Sequence, residues 1–169
     1  TLFVPSAQYR SNLTSGISST TSTFSSSGRN TTVYPKAYTV YNVYDSYGHA
    51  LNLTQGGIEK TYLWGYRGQY PVAEIGNATY ASVKSALGSL TPENLSKASA
   101  PDMTVLRALP GKLPGANVHL YEYKAGAGVS AETVPNGEKT TYEYDALNRL
   151  KTEKDHSGKT VQAYEYHYK

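Results

Sequence analysis

Along most of the chain, apolar and aromatic positions alternate with polar ones in short runs, the two-residue period of a strand with one face turned to a core. Ala37-Tyr38-Thr39-Val40-Tyr41-Asn42-Val43-Tyr44 is rich in β-branched and aromatic residues and lies between Pro35 and Asp45-Ser46-Tyr47-Gly48. It reads as a strand entering a turn. One stretch breaks the pattern. After Asn77, the positions Ala78, Ala81, Val83, Ala86 and Leu87 form an apolar stripe that stops at Gly88, which predicts a helix over 78–87 with Asn77 as its N-cap. Thr91-Pro92-Glu93 starts a second helix to about Ala98, and Met103 to Leu109 form a third that Pro110 and Gly111 end. Residues 77–115 are therefore a helical insertion between β units. From Ser11 to Thr32, Ser and Thr fill 14 of 22 positions, and Ile17, Phe24 and then Val33 are widely spaced apolar residues; polar strands or a long loop are expected there.

The β units repeat. Tyr121-Glu122-Tyr123, Tyr142-Glu143-Tyr144 and Tyr164-Glu165-Tyr166 are the same tripeptide at intervals of about 21 residues, and Gly137 and Gly158 hold equivalent places between them. An earlier unit, with Tyr44-Asp45, Gly57 and Tyr62, fits the same frame. A unit of this length with a turn glycine in its second half is a strand, a tight turn and a returning strand. Asp45-Ser46-Tyr47-Gly48 and Asp145-Ala146-Leu147-Asn148 place a carboxylate first and a residue tolerant of left-handed backbone fourth. Pro135-Asn136-Gly137 and Asp155-His156-Ser157-Gly158 supply further turns. Because strand side chains alternate, both tyrosines of each tripeptide share one face and the glutamate takes the other. Stacked hairpins then carry a ladder of tyrosines.

Tyr142-Glu143-Tyr144-Asp145-Ala146-Leu147-Asn148-Arg149-Leu150 resembles the YD repeat of the rearrangement-hotspot (RHS) family, and the resemblance runs over about residues 38–169. Tyr62-Leu63-Trp64-Gly65-Tyr66 and the closing Tyr164-Glu165-Tyr166-His167-Tyr168 look most like RHS-repeat proteins of gut Bacteroidetes. This resemblance implies a mainly β fold of antiparallel YD-repeat hairpins in a curved open sheet, with the short helical insertion near 77–112. One structural domain is expected, made of a Ser/Thr-rich segment 1–35, a first repeat unit 36–76, the insertion 77–115 and further hairpins over 116–169. It implies a fragment of a longer RHS-type polypeptide, secreted or on the bacterial surface, acting as a scaffold. The family's Asp-Pro-x-Gly-Leu self-cleavage sequence is absent, so no protease activity is carried over.

Composition sharpens this picture. The 169 residues include 17 Tyr against 2 Phe, 1 Trp and three Ile; a sheet that uses Tyr in place of Phe keeps its hydroxyls near water or partners, so one face is expected to be wet or to face a large lumen. The net charge of +3 is too mild for a nucleic-acid partner. No apolar run is long enough for membrane insertion, and without cysteine there is no thiolate nucleophile or Cys-based metal site.

Candidate chemistry is sparse. Of the four aspartates, Asp45, Asp145 and Asp155 are explained by turns, leaving no converging acid pair with Asp102. His49, His119, His156 and His167 lack metal-ligand spacing. No Gly-x-Ser-x-Gly elbow occurs, and Gly126-Ala127-Gly128 has Ala131 at the third glycine position of a dinucleotide motif. The sequons at Asn12, Asn30, Asn52, Asn77 and Asn94 are the chance product of a Ser/Thr-rich chain. Neither catalytic nor metal residues nor a cofactor are expected, and the chain reads as a non-enzyme. The one binding expectation is aromatic: Trp64, Tyr66 and Tyr70 crowd near Gly65, Gly68 and Pro71, a composition suited to carbohydrate. The competing reading gives Trp64 a packing role where sheet meets helices. Partners are the rest of a longer polypeptide, carbohydrate or another surface protein, and a second copy through exposed edge strands.

Overall fold

A computed structural model describes residues 3–10, 24–25, 28–29 and 36–167. Most of the Ser/Thr-rich segment 1–35 lies outside the described residues, as do the sequons at Asn12 and Asn30 and Tyr168. The strands are β1 (Ala7–Tyr9), β2 (Phe24–Ser25), β3 (Gly28–Arg29), β4 (Ala37–Tyr44), β5 (Ala50–Gln55), β6 (Ile58–Gly65) and β7 (Tyr70–Gly76). After the helices come β8 (Asn117–Lys124), β9 (Gly128–Thr133), β10 (Lys139–Tyr144), β11 (Leu150–Lys154) and β12 (Thr160–Ala163). Ten strands form a single antiparallel sheet in the order β1-β4-β5-β6-β7-β8-β9-β10-β11-β12, while β2 and β3 pair only with each other. Every sequential neighbour from β4 onward is a spatial neighbour, the meander that tight hairpin turns impose. The sheet is mainly β and open as expected, and it lies uncurled rather than as a curved wall.

The helical insertion is the loop of one hairpin. β7 and β8 pair directly, with Gly76 opposite Asn117, and the chain between them forms α1 (Tyr80–Leu87), α2 (Pro92–Lys97), α3 (Met103–Arg107) and α4 (Leu109–Lys112). These fold back over β6–β8 and bury Leu63, Val72, Ala73, Ile75, Val118 and Leu120 of the sheet against Val83, Leu87, Leu95, Leu106 and Leu109. Burial of that many aliphatic side chains, each contributing roughly 1.5–3 kcal/mol, is what fixes the insertion to this face.

Two local expectations are corrected. Asn77 is not the N-cap of α1; it sits at φ 59 and its side-chain amide donates to the Gly115 carbonyl at 2.7 Å, closing the neck of the insertion. Thr79 caps instead, its hydroxyl accepting from the Ser82 N–H, so α1 starts at Tyr80. Pro110 and Gly111 do not end the helical stretch either, because a new turn starts at Leu109 and Pro110 occupies its first turn, where no N–H is needed. Asp102, unexplained by the turns, is the N-cap of α3 and accepts from Thr104 N–H at 2.9 Å.

Candidate functional site

The repeat is built at the end of every second strand. On β4, β6, β8 and β10 the pairing register slips just before one aromatic residue: between Val43 and Tyr44, Leu63 and Trp64, Glu122 and Tyr123, and Glu143 and Tyr144. A bulge there re-aims the next side chain. Each of these aromatics stands opposite the start of the following strand, in the pairs Tyr44–Ala50, Trp64–Pro71, Tyr123–Val129 and Tyr144–Leu150. Each also reaches back across the sheet. The Tyr44 hydroxyl donates to the Pro5 carbonyl. Trp64 Nε1–H donates to Ala50 at 3.2 Å, Tyr123 to Pro71 at 2.9 Å, Tyr144 to Val129 at 2.7 Å and Tyr166 to Leu150 at 2.8 Å. The carbonyls of Ala50, Pro71, Val129 and Leu150 that accept from one aromatic thus belong to residues lying opposite the aromatic before it. Five rungs chain the hairpins together.

The turns repeat as closely. Asp45 Oδ1 accepts from the N–H groups of Tyr47 and His49, Asp145 Oδ1 from Leu147 and Arg149, and Asp155 Oδ1 from Ser157 and Lys159. The fourth residue of each takes left-handed backbone: Gly48 at φ 89, Asn148 at φ 59 and Gly158 at φ 82. Hydrogen bonds to those N–H groups hold the Asp145 carboxyl below its ordinary range, and the Ser157 hydroxyl does the same for Asp155. In the first unit the turn also anchors the insertion, since the buried Asp45 carboxylate accepts from the Ser96 hydroxyl of α2 at 2.8 Å.

The sheet has a helix-covered face and an open face. Glu122 points to the covered face, pairing with Arg107 of α3 at 2.7 Å and with Lys139; burial alone would raise its carboxyl, but these two hydrogen-bonded cations bring it below the usual range. The open face carries a second regularity, the directly opposed pairs Tyr62–Glu74, Tyr121–Glu132 and Tyr142–Glu153. Two aromatic hollows lie between them. The first, of about 300 Å³, is lined by Tyr62, Trp64, Pro71, Glu74, Tyr121, Tyr123 and Val129. The second, of about 340 Å³, is lined by Tyr121, Val129, Glu132, Tyr142, Tyr144 and Leu150.

The three residues singled out from sequence separate here. Trp64 lines the first hollow on the open face, with one ring face stacked on His49 at 4.2 Å between centroids. Its packing role is that of a ladder rung, not a cover where sheet meets helices. Tyr66 and Tyr70 lie outside both hollows and form a three-ring cluster with Tyr123, Tyr70 stacked on Tyr123 at 4.6 Å and Tyr66 edge-on to both. Tyr66 opens a turn in which Tyr66, Arg67 and Gly68 all have positive φ, of 54, 59 and 75. Burial, together with the neighbouring tyrosines, pushes the Tyr123 hydroxyl up to about 12. Sequence reasoning missed Tyr62, Tyr121, Glu74 and Glu132 as lining residues; the signal present was the tyrosine spacing, but cross-strand partners follow only from register.

Among the described residues no His/Cys/Asp/Glu cluster could hold a metal ion, and no helix is long and apolar enough to cross a membrane. The Asn52 sequon is 2% exposed, and its amide donates to Glu59 and to the Lys60 carbonyl. These features define a class of protein, the hairpin-repeat wall whose rungs are aromatic side chains tied to the preceding strand. Residues 126–161, running from the loop after β8 into β12, match the family model described as RHS Repeat, and the chain carries that repeat there. No curated protein matches the chain.

Proposed function

We propose that this chain is a non-enzymatic structural and interaction scaffold, a stretch of a longer RHS-type polypeptide of the bacterial surface or secreted fraction. The observation that carries the reading is the unbroken succession of five aromatic rungs, because it makes each hairpin a template for the next and, among the described residues, leaves β1 and β12 as edges where pairing can continue. Such an edge accepts a further hairpin of the same polypeptide or the edge strand of a second copy. The acids support the same reading: Asp45, Asp145 and Asp155 are spent on turns, Asp102 on a helix cap, and Glu122 and Glu143 on ion pairs. The test is to assay the full chain for hydrolysis of a panel of polysaccharides and peptides. No turnover is expected; reproducible hydrolysis by the pure protein overturns the non-enzymatic reading.

A second reading is favoured by the first hollow, where Tyr62, Trp64, Tyr121 and Tyr123 surround an apolar floor of Pro71 and Val129. Flat rings over such a floor suit the apolar face of a sugar, so carbohydrate is the ligand class this hollow would take. A glycan array with the wild-type chain and Trp64→Ala decides it. Binding lost in the variant supports a sugar site, and the absence of any bound glycan removes it.

A further inference from the structure

The second hollow differs from the first in its charge. In the first hollow Glu74 already has a cation, Lys60 at 3.2 Å, and receives the Tyr62 hydroxyl. In the second, Glu132 is half-buried on β9, directly opposite Tyr121 of β8, and among the described residues its carboxylate has no ion pair and accepts no hydrogen bond. A half-buried carboxylate without a positive partner is held by water alone, and a cation arriving from outside is attracted to it. Its surroundings suit a cation of one kind. Three tyrosine rings, Tyr121, Tyr142 and Tyr144, line the hollow with the aliphatic side chains of Val129 and Leu150, and Tyr144 already has one cation at its ring, Lys124 Nζ at 5.6 Å from the centroid. Aromatic π-systems attract positive charge, and apolar walls favour one that carries methyl groups.

We propose that the hollow bounded by Tyr121, Glu132, Tyr142 and Tyr144 binds an alkylammonium cation of the trimethylammonium type, with Glu132 as the counter-charge and the tyrosines as its aromatic walls. A metal ion is the wrong guest, because one carboxylate among rings and aliphatic carbon supplies too few oxygen ligands. A neutral sugar would fill the volume but leave the Glu132 charge uncompensated. The local field agrees: burial raises the Tyr121 and Tyr142 hydroxyls, Glu132 raises Tyr121 further, and Glu153 and then Glu132 raise Tyr142 further. The site shares Tyr121 and Val129 with the first hollow, yet its ligand class does not depend on the scaffold or sugar readings.

The experiment is an NMR titration of the full chain with choline, with the uncharged tert-butyl isostere of choline, and with methyl glucoside. Saturable shifts in the signals of β10 and β11, which line the second hollow and not the first, are expected with choline alone. Glu132→Gln, which keeps the shape of the side chain, should weaken choline binding by about tenfold or more. Tyr142→Phe should hold affinity within about twofold and Tyr142→Ala should lose it, a pair that tests the site even if Glu132→Gln does not fold. The proposal is overturned if choline gives no saturable shift there, if the uncharged isostere or the glucoside shifts the β10 and β11 signals as strongly as choline, or if choline binds the folded Glu132→Gln variant unchanged.

Discussion

The Tyr144 hydroxyl donates to the Val129 carbonyl at 2.7 Å and passes close over Gly128 on the way. Gly128 has φ 144, and a Cβ placed on it would stand 3.0 Å from the Tyr144 hydroxyl oxygen. The glycine clears the path by which one hairpin's aromatic rung ties to the strand before it. At this one rung the glycine is a close-approach requirement; the residues in the same place at three other rungs, His49, Tyr70 and Arg149, carry side chains.

Tyr144→Phe should cost about 1 kcal/mol, the net worth of one hydrogen bond to a part-buried carbonyl. Gly128→Ala should cost more, about 1–3 kcal/mol, because it strains the backbone and displaces the hydroxyl together. The double variant should be destabilised by clearly less than the sum of the two, since each change breaks the same rung. Urea unfolding of the four proteins measures this cycle; strict additivity would disconnect Gly128 from the rung.

The three aspartate turns share their hydrogen bonds but not their surroundings, so alanine at each should cost different amounts. Asp45 is 5% exposed and holds Ser96 of the insertion, and Asp45→Ala should cost about 2–3 kcal/mol by leaving buried donors unpaired. Asp145→Ala and Asp155→Ala should cost less, because water replaces the lost acceptor. Thermal unfolding of the three variants gives the order; Asp155→Ala as damaging as Asp45→Ala would contradict it.

Alkaline pH should weaken the fold through Tyr123. Its hydroxyl is raised from 10.0 to about 12 in the folded chain, so the folded state favours the neutral, donating form. That stabilisation is complete below pH 10 and is lost as pH rises towards the folded value. Tyrosinate absorbance should show Tyr123 among the last tyrosines to ionise, and Tyr123→Phe should flatten the fall in stability between pH 10 and 12.

Acid should act through Glu122, with the opposite sign. Its carboxyl lies below the ordinary 4.5 because Arg107 and Lys139 outweigh the burial that would raise it. The stabilisation is present above pH 4.5 and declines as pH falls through the lower folded value. Denaturant midpoints across that range should fall less steeply in Glu122→Gln than in the wild type. An unchanged slope would show that the bridge from α3 to β8 carries no linkage.

How much of this was legible beforehand follows from which forces are local. Turn chemistry acts within five residues, so Asp145 and Asn148, or Asp155 and Gly158, announce their turns without reference to the rest of the chain. Thr91-Pro92-Glu93 is likewise a local start signal, and α2 begins at Pro92. Asn77 shows the limit: as a capping residue type it looked right, yet a partner 38 positions away, Gly115, took its side chain. The tyrosine period was written in the chain too. What it could not disclose was that Trp64 is a rung of the same ladder, because that equivalence lies in a bulge and a bond to Ala50 across the sheet. By itself the sequence determined the hairpins, their spacing and the helical interruption, since these depend on backbone preference and near neighbours. Only the tertiary structure decided which glutamate faces which tyrosine, that Glu74 has a lysine while Glu132 has none among the described residues, and which face the helices leave open. Register between strands sets those relations, and register is fixed by packing over the whole sheet rather than by any one segment.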